Sequence, residues 1–143
     1  MNLYTIGFAQ KSAKAFFDLL AKNGVKRVVD IRLNNKSQLA GFTKGDDLAY
    51  FLDRIAGIGY RYLPAAAPPK ELFDGYRAGK VAWPELERGY LEALAARDIL
   101  KDGPALFDNA CLLCSEPEPG QCHRRLLAEH IAGRVPGVKI VHL

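Results

Sequence analysis

The feature that most constrains this chain is an alternation of short β-prone runs with amphipathic helical ones. The run "NLYTIGF" (2–8), rich in β-branched and aromatic residues, reads as a first strand. Ser12 can cap a helix running to about Asn23, with Phe16, Leu19 and Leu20 on one face and Gly24 as its stop. A second strand over "VKRVVDI" (25–31) carries Val28, Val29 and Ile31, the pattern of a strand covered on both faces. Asp46 or Asp47 opens a second helix, where Leu48, Phe51, Leu52 and Ile55 recur at helical spacing before Gly57. "YRYL" (60–63) is a brief strand ended by Pro64. The stretch 64–87 is irregular, broken at Pro68 and Pro69, with a short helix near Lys70 to Ala78. Pro84 suits the first turn of a longer helix to about Asp98, with Leu86, Tyr90, Leu91 and Leu94 inward. A further strand lies within "ALFDNACLLC" (105–114), a helix runs from about Cys122 to Ala132, and "GVKIVHL" (137–143) reads as a last strand.

Strand, helix, strand in repetition predicts an α/β fold: a single three-layer domain over residues 1–143, mainly parallel sheet with helices on both faces. No repeat, low-complexity tract or linker divides it. At 143 residues the chain can bury a core without disulfides or metals. No run has bilayer-spanning length and the N-terminus lacks a basic segment with an apolar signal core, so a cytoplasmic location without membrane partners is expected. Three cysteines cannot all pair within one chain, and free thiols are the default in a reducing compartment. The net charge of +4 suits an anionic ligand, but it is scattered, and a nucleic-acid partner stays open.

In parallel sheets, ligands bind outside the carboxyl ends of the strands. Two such ends carry chemistry, "VVDIR" and "CLLC". Asp30 and Arg32 are two apart, share a face, and can pair with each other or with the cysteine loop. Beyond them "LNNKSQLAGFTKGDD" (33–47) is a long polar loop in which Lys44, like Lys36 and Lys70, can meet phosphates, and Phe42, Tyr60 and Tyr62 can stack on a base. Cys111 and Cys114 form a C-x-x-C, yet residues three apart on a strand point to opposite faces, so Cys111 reads as core. Cys114 lies where strand gives way to loop, and Cys122 and His123 open the next helix. Folding that loop on itself brings two thiols, an imidazole and a helix N-terminus together, with Arg124 and Arg125 as cations. Glu116 reads equally as a general base and as an ion-pair partner for Arg124. No cofactor is expected. Zinc, the sharpest alternative, would find three soft ligands in Cys114, Cys122 and His123, but side chains adjacent on a helix point roughly 100° apart. A cysteine phosphatase or sulfurtransferase shares the layout of strand, cysteine, loop and helix. Here, however, Glu116, Glu118 and two prolines in the loop oppose an anion held there.

The segments "YTIGF", "VVDIR", "NNKSQLAGFTK", "IGYRYLP" and "CLLCSEPEPGQCHRRLLAEH", in that order, resemble the family known as domain of unknown function 488. Its C-x-E then C-H-R pattern falls on Cys114, Glu116, Cys122, His123 and Arg124, and its D-[IV]-R pattern on Asp30 and Arg32. Where relatives carry a proline after that arginine and Gly-Gly after "LP", this chain has "LNNKS" and "AAAPPKEL". The resemblance implies a compact α/β domain with a site built from both clusters, and it supplies no reaction.

Two functional classes follow. In the first, an enzyme acts on a small anionic or nucleotide-like substrate: Arg32 and Arg124 hold it with Lys44 as a further ligand-binding residue, Asp30 or Glu116 moves protons, Cys114 or Cys122 attacks, and His123 belongs to the same catalytic set. In the second, the same cations serve a non-catalytic module for nucleotide or nucleic acid, with the cysteines as packing.

Overall fold

A computed structural model describes residues 1–36, 41–116 and 120–143, so Glu118 and the "SQLA" of the polar loop lie outside the described residues. Among these, five strands form one sheet: β1 (Asn2–Gly7), β2 (Arg27–Asp30), β3 (Gly59–Tyr62), β4 (Ala110–Cys114) and β5 (Lys139–His142). Their spatial order is β3-β2-β4-β1-β5, and every neighbouring pair is parallel. The helices are α1 (Ala13–Lys22), α2 (Gly45–Phe51), α3 (Lys70–Arg77), α4 (Trp83–Ala96) and α5 (His123–Arg134).

Residue alternation along the strands divides the core into two layers. Tyr4, Ile6, Val28, Cys111 and Leu113 pack with Phe16, Phe17 and Leu20 of α1 and Leu48 of α2. Leu3, Val29, Ile31, Ala110 and Leu112 pack on the other face with Tyr90 and Leu94 of α4 and with Leu126, Leu127 and Ile131 of α5. This is the three-layer, parallel α/β domain that the sequence implies. Cys111 falls in the first layer, and the period of two turns Cys114 to the second. Among the described residues, no helix is long and apolar enough to cross a membrane.

Local signals act as expected where they are chemical. The Ser12 hydroxyl caps α1 by accepting from the Ala15 amide at 3.1 Å. Pro84 lies in the first turn of α4. Boundaries differ where packing overrides periodicity. The second helix stops being α-helical at Phe51 and continues as one π-helical turn, Leu52–Ala56, ended by Gly57 at φ 63°. The fourth strand is confined to Ala110–Cys114, because Pro104–Phe107 turns as a 3₁₀ helix and Asn109 is left-handed at φ 53°.

Candidate functional site

β2 ends on Asp30, whose side chain is fully buried. Arg32 grips it as a fork, with Nε 2.8 Å from Oδ1 and Nη2 2.7 Å from Oδ2, and the Arg32 amide donates to Oδ1 at 3.2 Å. Bidentate geometry of this kind fixes orientation as well as charge. Tyr60 of β3 donates to Oδ2 at 2.6 Å, and burial, reinforced by Asp30, pushes its phenol well above the ordinary range. Nη2 also donates to the Thr43 carbonyl at 2.7 Å, and the Phe8 ring lies 5.3 Å from the guanidinium carbon. Nη1 of Arg32 is buried without a hydrogen-bond partner among the described residues. A buried polar group left unmatched costs about 1–3 kcal/mol, so this donor favours an incoming acceptor.

At the end of β4 the loop does fold its ends together. Cys114 Sγ and Cys122 Sγ are 2.7 Å apart, and both thiols are free. Arg124, fully buried, points Nη1 at Cys114 Sγ (3.0 Å), at Cys122 Sγ (3.6 Å) and at the Glu116 main-chain carbonyl. Gly7 makes room for this contact: a Cβ there would overlap the Glu116 carbonyl and lie 2.7 Å from Arg124 Nη1. Burial pushes the Cys114 thiol up, but the hydrogen bond from Cys122, the Arg124 charge and the Glu116 amide bring it below its ordinary value. The same bond to Cys114, together with burial, holds Cys122 protonated. Of the pair, Cys114 is the sulfur more readily ionised.

His123 opens α5, with its ring beside the Ile31 main chain. Its Nε2 is buried without a hydrogen-bond partner among the described residues. Burial, aided by the Arg124 charge, lowers the His123 pKa to about 4, so the ring is neutral at pH 7. The rings of Phe73 and Tyr90 meet it edge-on, with centroids at 5.8 and 6.0 Å.

A cleft of about 480 Å³ opens at these strand ends, and Arg32, Glu116 and His123 line it, along with Phe8, Asn34, Phe73, Arg77 and Lys70. Asp30, Cys114, Cys122 and Arg124 are buried and do not line it, and Asp30 orients the lining Arg32. Lys44 is the residue before α2 and does not line the cleft, although the preceding Thr43 carbonyl accepts from Arg32. Glu116 is exposed at the mouth, and its link to Arg124 runs through the main chain. Sequence reasoning missed Phe8, Phe73 and Arg77. The guanidinium of Arg77 lies 5.8 Å over the Phe73 ring, four residues apart on α3, a spacing the Pro-broken stretch 64–87 contains but does not advertise. A smaller hollow of about 350 Å³, between Arg27 and Asp102, gathers none of the sequence-predicted site residues.

Fold and site together define a parallel α/β domain with a mixed-charge cleft at its strand carboxyl ends. The chain belongs to the family described as domain of unknown function DUF488, whose model matches residues 12–131 of the 143. No curated protein matches the chain. No solved structure matches it either.

Proposed function

We propose that this chain binds a small anionic, nucleotide-like molecule in the cleft and acts on it as an enzyme. The observation that carries the reading is Arg32: a buried residue, 6% exposed, locked by Asp30 on the wall of the cleft, with Nη1 unmatched among the described residues. Such a donor offers a phosphate or carboxylate oxygen an unmet hydrogen bond once the cleft wall shifts enough to admit it. Phe8 and Phe73 offer flat apolar walls for a base. His123 and Glu116, both on the cleft wall, are the proton-handling groups. Lys70 and Arg77 add charge at the rim, though Lys70 is shared with Asp74 at 2.7 Å.

Burial of both sulfurs favours the second reading, a non-catalytic module, as far as the cysteines are concerned, because a nucleophile must reach its substrate. A thermal-shift series with phosphate, adenosine, adenosine monophosphate and short oligonucleotides tests both. A nucleotide-dependent rise in wild type that is lost in Arg32→Lys, which keeps the charge but not the fork, supports the cleft. Saturation at a hundred times Kd gives about 2.7 kcal/mol, well within reach of the method. Mass spectrometry of the recovered nucleotide then separates the classes: altered nucleotide means enzyme, unaltered nucleotide means module. No shift with any of the four sinks the reading.

A further inference from the structure

Cys114 and Cys122 do not line the cleft, and the reading above gives their sulfurs no task. Their arrangement is nonetheless chemical. The last residue of β4 and the N-cap residue of α5 bring two sulfurs to 2.7 Å, and Arg124 Nη1 contacts both. Cys111, by contrast, packs in the opposite core layer, away from both sulfurs and Arg124. Two thiols in contact, one of them against a guanidinium that favours its ionised form, are the pairing of an attacking and a resolving cysteine.

We propose that Cys114 and Cys122 are a redox-active dithiol that a hydroperoxide closes to a disulfide within the chain. The Cys114 thiolate attacks the terminal peroxide oxygen, and the O–O bond breaks. That oxygen stays on sulfur as a sulfenic acid, and the departing alkoxide or hydroxide takes a proton to leave as alcohol or water. The Cys122 sulfur then displaces the sulfenic oxygen, which leaves as water with the Cys122 proton. Two thiols lose two electrons and the peroxide gains them. Closure to the usual bond of about 2.05 Å requires the sulfurs to shift by roughly 0.7 Å. Cys114 is 0% and Cys122 2% exposed, so attack waits on local opening and runs slower than with free cysteine. The proposal rests on the sulfurs and Arg124 alone and survives failure of the ligand reading.

The test treats the reduced full chain with excess hydrogen peroxide, quenches with acid, and counts thiols after denaturation. The three free thiols should fall to one, with loss of two hydrogens in intact mass, a Cys114–Cys122 crosslink in the peptides, and full reversal by dithiothreitol. Cys111→Ala should behave as wild type. Cys122→Ser should stop at a sulfenic acid that dimedone traps on Cys114. Survival of all three thiols, a crosslink through Cys111, or a crosslink only between chains overturns the proposal.

Discussion

Arg32 and Arg124 are both buried guanidiniums beside the carboxyl ends of neighbouring strands, and they differ in what balances them. Arg32 faces a carboxylate, Arg124 a pair of sulfurs and a carbonyl. Arg32 is held in one place by a two-pronged fork of hydrogen bonds. Sulfur keeps a charge only while it is deprotonated and reduced. The first cluster is an anchor, and the second depends on its surroundings. The same residue type, at the carboxyl edge of one sheet but on different elements, therefore does two kinds of work.

The largest expected effect breaks the anchor. Asp30→Ala strands the Arg32 guanidinium without its carboxylate and should cost about 3–5 kcal/mol in urea unfolding. A loss under about 1 kcal/mol would show that water already balances the pair. Next comes His123, buried on the cleft wall beside Arg124 in sequence. Its folded pKa of about 4 lies below the ordinary 6.5, so the folded state binds fewer protons between the two values. Its contribution is full above pH 6.5 and is lost as pH falls toward 4, roughly 3 kcal/mol at 1.36 kcal/mol per unit. Unfolding measured across that window should show a flatter slope in His123→Gln, and parallel slopes would refute the assignment.

Smaller effects separate the two clusters. Gly7→Ala pushes into the Glu116 carbonyl and Arg124 but touches nothing at Asp30. It should cost about 1–3 kcal/mol. It should also speed alkylation of Cys114 by iodoacetamide, and an unchanged labelling rate would detach Gly7 from the sulfur cluster. Ser12→Ala removes the α1 cap, remote from both arginines, and should cost about 1 kcal/mol while leaving the pH profile and the labelling rate alone.

What was legible in the sequence follows the same division. The Asp30–Arg32 pair could be read because both residues belong to one strand end, where a period of two settles which side they take. The proximity of Cys114 to Cys122 could be read because they bracket one short loop. Their roles could not, since which thiol ionises depends on Arg124 Nη1 and the Glu116 amide, and neither direction follows from spacing. Tyr60 as the third partner of Asp30 required the β2–β3 register, which pairs Val28 with Tyr60 and Asp30 with Tyr62. Lys44, a phosphate contact by its place in a polar loop, is the residue before α2, a position that spacing alone does not specify.

The strand order has a consequence for how the chain must assemble. β4 lies between β2 and β1, and β1 has β4 and β5 as its neighbours. A growing chain that has reached only Asn109 can pair β2 with β3 but offers β1 no strand to join. Sheet formation across the middle therefore waits for residues 110–114, and the contacts it then makes reach back more than a hundred residues to β1. Closures of that span are entropically late and kinetically slow. Until they occur, the hydrophobic strand "LYTI" remains without a partner, which marks the N-terminal segment as the part of the nascent chain most in need of protection.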